Sequence, residues 1–304
     1  MTKPGYLRLA RRGELRDRGE ALWEMLRECR LCPRECRVNR LEGETGFCKA
    51  SDKLKVASYG PHFGEESGLV GPGGSGTIFF SHCNLGCIFC QNWDISHRGS
   101  GTEAEVHDLA RMMLELQDAG CSNINIVTPT HYAPHVVLAL NEAAERELRL
   151  PLVWNTCGWE RPEILQLLDG VVDIYLADYK YTDPEMAETF SQEAGSYPAI
   201  TTAALIEMNR QVGVAQPGPT GLITRGLMIR HLVMPSGVSG SAGAMRWIAS
   251  HLPSNTYVNI MIQYRPAYRA HLHPEIDRPV RREEYLAVVE AARNLGLTNL
   301  DADG

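Results

Sequence analysis

No apolar run in this chain approaches the length of a membrane span, so no transmembrane helix is expected. The N-terminus also lacks the apolar region of a secretory signal, because Lys3, Arg8, Arg11, Arg12, Glu14, Arg16 and Asp17 charge it almost from the start. A basic excess is missing as well. Against 37 Asp and Glu there are 30 Lys and Arg, for a formal charge of −7. A nucleic-acid backbone as main partner needs Lys and Arg concentrated on one face, and the local group Arg30, Arg34, Arg37 and Arg40 reads as a solvated face. These absences predict a cytoplasmic protein with neither a membrane nor a nucleic acid as partner. In that reducing compartment nine cysteines are metal ligands sooner than disulfides.

What is present is a normal apolar fraction, 44% of 304 residues, enough for one large α/β domain or a large and a small one. The chain divides into a cysteine-bearing head, a glycine-rich joint from Gly68 to Gly76, and a long alternation of strand and helix signals. The joint resembles a phosphate loop but precedes the strand Thr77 to Phe80, whereas a dinucleotide fingerprint follows a strand and opens a helix. It reads as a turn lying close to the cysteine motif described below. Thr102 with Glu105 has the form of a capping box before the helical spacing of Leu109, Met112, Met113 and Leu116. Strands follow at 123–127, 152–154, 172–177, 229–233 and 257–262, with helices at 136–147, 163–168, 201–212 and 242–251. Six strands alternating with helices predict a parallel sheet with right-handed crossovers. Alternation fits an open doubly wound sheet and a barrel equally.

The segment Ser81-His82-Cys83-Asn84-Leu85-Gly86-Cys87-Ile88-Phe89-Cys90 brings three thiols together within eight residues, just after the first of these strands. Three thiolates are one too few for a cubane iron–sulfur cluster, so one iron would be left to bind something else. Zinc held by the three cysteines plus His82 or His97 is the alternative. The spacing C-x3-C-x2-C, with an aromatic just before the last cysteine, resembles the radical S-adenosylmethionine superfamily. That resemblance implies a 4Fe-4S cluster on Cys83, Cys87 and Cys90, with the open iron chelating the amino and carboxylate groups of S-adenosyl-L-methionine. It also implies an α/β fold, a partial (β/α)6 TIM-like barrel. The expected organisation is a head of residues 1–70, a small N-terminal four-cysteine metal-binding segment, and a barrel with a C-terminal helix over 71–304.

In such barrels functional groups sit at the C-terminal ends of strands, and this sequence places polar residues there. Thr128 and Thr130 follow the second strand, Asn155 and Thr156 the third, and Asp178 and Lys180 the fourth; Arg230 lies on the fifth and Gln263 closes the sixth. Hydroxyl and amide groups such as Thr128, Thr130 and Asn155 can bond the methionyl amine or the ribose. Lys180 and Arg230 can meet the methionyl carboxylate or a substrate anion, and Asp178 can hold Lys180 or a ribose hydroxyl. Phe89 can pack beside the cluster, against adenine.

More narrowly, the cluster segment, Asn155-Thr156, Asp178 to Lys180 and Arg230 to Pro235 look like the pyruvate formate-lyase activating enzyme group. The head motif Cys29-Arg-Leu-Cys32-Pro-Arg-Glu-Cys36 with Gly46-Phe-Cys48, and Gln263-Tyr-Arg-Pro266, point to a branch related to those activases. The likeness spans residues 29 to 268. In place of the superfamily's Gly-Gly-Glu segment stands Val127-Thr-Pro-Thr130, where hydroxyls and carbonyls would substitute for the carboxylate. Cys29, Cys32, Cys36 and Cys48 suit structural zinc or an auxiliary iron–sulfur cluster. Cys121 reads as a buried small hydrophobe, whereas Cys157 and His131 lie at the barrel mouth. The resemblance implies an oxidoreductase fed by a low-potential donor such as flavodoxin or ferredoxin, which takes hydrogen from a glycine of a protein substrate. A radical enzyme acting on a small molecule or peptide, and a non-catalytic zinc-binding interaction protein, are the alternatives.

Overall fold

Short apolar segments bounded by turns become strands in the computed structural model, which describes residues 3–302. They are β1 (Leu54–His62), β2 (Ser75–Phe80), β3 (Thr102–Ala104), β4 (Ile124–Val127), β5 (Leu152–Thr156), β6 (Ile174–Asp178), β7 (Gly226–Leu232), β8 (Tyr257–Met261) and β9 (Leu300–Asp301). One sheet holds them in the order β3-β1-β2-β4-β5-β6-β7-β8-β9. From β2 to β9 every neighbour is parallel, whereas β1 and β3 join antiparallel at one edge. The fold is α/β with a mostly parallel sheet whose parallel strands, from β2 through β4 to β9, follow chain order, consistent with a partial barrel. Because β1 pairs with β2, the sheet begins inside the span 1–70 assigned to the head.

Both faces of the central strands are covered, which is why β5 and β6 are buried at every position and read as continuous apolar runs. The two faces still separate by parity. Val153, Ile174, Leu176, Met228 and Tyr257 point inward and form a small core of their own with Leu69 and Ile223. Their chain neighbours Trp154, Tyr175, Ala177, Leu227, Ile229 and Val258 belong to the larger core beneath the helices. Those helices are α1 (Tyr6–Arg11), α2 (Glu14–Glu24), α3 (Trp93–Ser96), α4 (Val106–Asp118), α5 (Ala133–Glu145), α6 (Pro162–Leu167), α7 (Pro184–Phe190), α8 (Tyr197–Val212), α9 (Ser241–His251) and α10 (Arg282–Asn294). Among the described residues no helix is long and apolar enough to cross a membrane.

Two local expectations are corrected. Thr102 does not cap α4: it lies in β3, opposite Val56, where it gives the edge of β1 a partner. The capping box sits at Glu105, whose carboxylate accepts from the Asp108 amide while Asp108 Oδ2 accepts from Glu105 N–H at 3.1 Å. The glycine-rich joint is a turn, but its neighbourhood is the opposite end of the barrel from the cysteines. Leu69, fully buried, plugs the inward core there, held by Ile223 N–H to Gly68 O at 2.7 Å and Asn123 Nδ2 to Leu69 O at 2.8 Å.

Two buried histidines are locked neutral. His231 donates from Nδ1 to Tyr179 O at 2.6 Å and accepts at Nε2 from Ser241 Oγ at 2.8 Å. His135 bonds Asp52 O from Nε2 at 2.7 Å. Burial lowers each to about 4. An unfolded histidine titrates near 6.5, so the stability these groups contribute is complete above that pH and is lost as pH falls towards 4. Each adds a slope of up to ~1.4 kcal/mol per pH unit in that window. Urea midpoints of the full chain should therefore drop between pH 7 and 5, and His231→Gln should flatten the drop; midpoints independent of pH would contradict this.

Candidate active site at the mouth of the barrel

The inward parity that places Val153, Leu176 and Met228 in the lower core brings Asn155, Asp178 and Arg230, each two residues further on, to the rim above it. There they border a cavity of about 290 Å³ into which the loop after β2 delivers Cys83, Cys87 and Cys90. The loop turns at Gly86, in the left-handed region at φ +72°, where a Cβ would lie 2.7 Å from the Phe47 ring. Ile88 N–H to Phe190 O at 3.0 Å pins its far side.

Each of the three thiols has a donor aimed at its sulfur. Leu85 N–H donates to Cys83 Sγ at 3.4 Å, Ser191 Oγ to Cys87 Sγ at 3.1 Å, and Ser96 Oγ to Cys90 Sγ at 3.2 Å. Cys157, a fourth thiol on the cavity wall, hydrogen-bonds Cys83 and draws its pKa down against the effect of burial. Burial pushes Cys87 up to about 12 and raises Cys90, so loading metal here releases protons.

Among the described residues no three Cys, His, Asp or Glu side chains are grouped to hold a single metal ion. His97 instead meets Cys87 O from Nε2 at 2.9 Å and stacks on Tyr268, ring centroids 4.4 Å apart. Three unbridged thiols spread around one cavity do fit a polynuclear cluster, in which each thiolate binds a different iron.

Facing the thiols is a charged wall. Asp178 accepts from Lys180 Nζ at 2.6 Å and from Arg230 Nε at 2.8 Å, and Arg230 Nη2 donates to Asn155 Oδ1 at 2.7 Å. Burial alone would lower both cations and raise Asp178, but their mutual attraction outweighs it: Lys180 and Arg230 are held above their ordinary range and Asp178 below. Glu65 stands 3.8 Å from Arg230, and burial raises it to about 7. Glu66, whose Oε1 accepts from Asn259 Nδ2 at 3.1 Å, also acts on Arg230, so the two cations face three carboxylates. What Lys180 and Arg230 offer an anion at the cavity is therefore their N–H donors and not a surplus of positive charge.

Of the residues expected at the site, Phe89, Thr128, Asn155, Asp178, Lys180, Arg230 and Gln263 line the cavity with the three cysteines. Thr130 and Thr156 do not, which corrects the expectation for both. Thr156 has the parity of Trp154 and points to the helix side of the sheet. There its hydroxyl donates to Glu160 Oε1 at 2.6 Å, joined by Thr130 Oγ1 at 2.7 Å and Trp154 Nε1 at 3.0 Å. Their role is to brace the strand ends. Glu160, Glu65, Ser96 and Ser191 were not anticipated; an acidic residue four positions after Thr156 was the available signal for the first. His131 is also away from the cavity, donating to Ser81 O from Nε2 at 2.9 Å.

The Radical SAM superfamily model matches residues 77–215, the stretch from β2 through the cysteine loop to the segment after α8. An uncharacterized protein of Methanocaldococcus jannaschii is 32% identical over 282 residues, covering 90% of this chain and 76% of that relative. A second uncharacterized protein of the same organism is 31% identical over 81 residues, 22% of this chain and 24% of its own length. With three thiols at one mouth of a parallel sheet, inside the matched residues and facing Lys180 and Arg230, the chain belongs to the radical SAM superfamily.

Proposed function

We propose that this radical SAM enzyme binds S-adenosylmethionine between the three thiols and the charged wall, cleaves it reductively and takes hydrogen from a glycine of a partner protein, as an activase. The observation that carries the cofactor's placement is Asp178 shared by Lys180 and Arg230, two buried donors at the cavity placed to meet the methionyl carboxylate. Cys83, Cys87 and Cys90 hold the cluster. Thr128 and the neighbouring carbonyls replace the carboxylate of the usual Gly-Gly-Glu segment at the amine. Asn155 is oriented by Arg230 and offers its amide N–H groups to the ribose. Phe89, edge-on to Tyr264 with centroids 5.8 Å apart, supplies an apolar, water-excluding flank for adenine.

When bound, the cluster supplies one electron that splits S-adenosylmethionine into methionine and a 5′-deoxyadenosyl radical, the species that removes hydrogen. A low-potential flavodoxin or ferredoxin is the donor, and the head cysteines form a second metal centre. The partner glycine rests on the resemblance to the pyruvate formate-lyase activating group.

The test is anaerobic: reconstitute with iron and sulfide, reduce, add S-adenosylmethionine and quantify 5′-deoxyadenosine and methionine. Equal amounts of both are expected, with a glycyl-radical signal by electron paramagnetic resonance when a glycyl-radical enzyme is present. Zinc in place of iron and no 5′-deoxyadenosine would sink the reading. Cleavage without any glycyl radical across the candidate partners would sink only the activase part.

A further inference from the structure

Arg34 does not belong to a solvated face. It stands midway between the head cysteines Cys32 and Cys36, and its guanidinium packs on the Phe47 ring, 3.6 Å from the centroid, with the Trp159 ring at 4.9 Å. Among the described residues its side-chain hydrogen bonds all leave the head. Nε donates to Asn84 O, and Nη2 donates to Leu85 O and to Ser191 O, each at 3.1 Å.

What those three carbonyls belong to decides what the contact does. In a trans peptide C=O and N–H point in opposite directions, so a group that holds the oxygen aims the hydrogen the other way. Asn84 O shares its peptide with Leu85 N–H, which donates to Cys83 Sγ at 3.4 Å. Leu85 O shares its peptide with Gly86 N–H, a further donor to the same sulfur. One guanidinium thus holds the negative ends of two peptide dipoles whose positive ends meet Cys83. A bond at each oxygen also polarises its peptide and strengthens the N–H as a donor. The third carbonyl belongs to Ser191, whose Oγ donates to Cys87 Sγ at 3.1 Å. Hydrogen bonds to the sulfurs help to set the reduction potential of an iron–sulfur cluster. They favour the reduced form, which carries the more negative charge.

We propose that Arg34 is a positioning residue for the cluster on Cys83, Cys87 and Cys90: by holding Asn84 O and Leu85 O it aims the Leu85 and Gly86 N–H groups at Cys83 Sγ and raises the cluster's reduction potential. This rests on those three cysteines holding the cluster.

The test is a redox titration of the full chain, reconstituted anaerobically and followed by the paramagnetic signal that changes when S-adenosylmethionine is added. Arg34→Met keeps an apolar stem against Phe47 but has no donor. It should lower the ratio of reduced to oxidised cluster at a fixed potential about tenfold, 59 mV for one electron. Arg34→Lys keeps the positive charge but cannot fork across two carbonyls, and should lower that ratio about threefold.

Arg34→Met at the wild-type potential overturns the proposal. Arg34→Lys at the wild-type potential, with Arg34→Met shifted, makes the effect one of charge alone and overturns the route through the peptides. Should Arg34→Met take up no iron, Arg34→Lys decides alone: a lowered ratio supports the proposal and the wild-type potential overturns it. Wild-type protein that takes up no iron overturns the cluster assignment itself, a result distinct from a loaded chain whose potential ignores Arg34.

Discussion

Cys87→Ala is expected to abolish 5′-deoxyadenosine formation, a fall of roughly a thousandfold or more, equivalent to ~4 kcal/mol in barrier. Cys87 is the middle of the three residues assigned as ligands, is buried, and is fixed by Ser191 Oγ at 3.1 Å. Loss of one thiolate from a set already limited to three leaves two irons without protein ligands. Iron content and the reduced-state paramagnetic signal of the first site should fall with activity. Cys121→Ala is the matched control. Cys121 is equally buried, but it precedes β4 at the closed end of the barrel and should leave product formation intact. Full activity in the Cys87 variant would refute the assignment of the cluster.

The second large effect is on stability. Glu160→Ala should destabilise the fold by about 3 kcal/mol or more, because Thr130, Trp154 and Thr156 all donate to Oε1 and would be left unsatisfied. Glu160→Gln keeps the acceptor and should cost no more than about 1 kcal/mol. The sign of the pH dependence separates the two forms of the side chain. Burial raises Glu160 above the usual carboxylate range, so its contribution is complete below the unfolded pKa and declines as pH rises through the folded one. Glutamine lacks that decline, and the gap between wild type and Glu160→Gln should move in glutamine's favour at higher pH. Urea midpoints at pH 5 and 8 measure it; a fully tolerated alanine would show that the three donors find other acceptors.

Much of the site was legible because strand parity and chemistry coincide. Asn155, Asp178 and Arg230 stand at the ends of apolar strands, and each continues an inward series, through Val153, Leu176 and Met228. Thr156 shows where reading by strand end alone fails: one step along a strand reverses the face, so its hydroxyl serves Glu160 instead of the cavity. Thr130 was misplaced because it lies beyond the end of β4, where parity no longer applies. Thr102 satisfied the spacing of a capping box, but an exposed edge at β1 competed for the same residues and took them into a strand. In α2 the charges that argue against a leader mask the buried stripe of Leu15, Gly19 and Leu22. Glu65 could not be found at all from local sequence, since a loop beyond β1 carries it to a strand whose Arg230 is far along the chain.

The Leu69 plug decides the traffic through the barrel. With that end filled, the cavity that holds the three thiols opens at the strand ends. Under the proposed function S-adenosylmethionine lies on the thiols beneath the hydrogen donor, and binding of the cofactor first is the expected kinetic order.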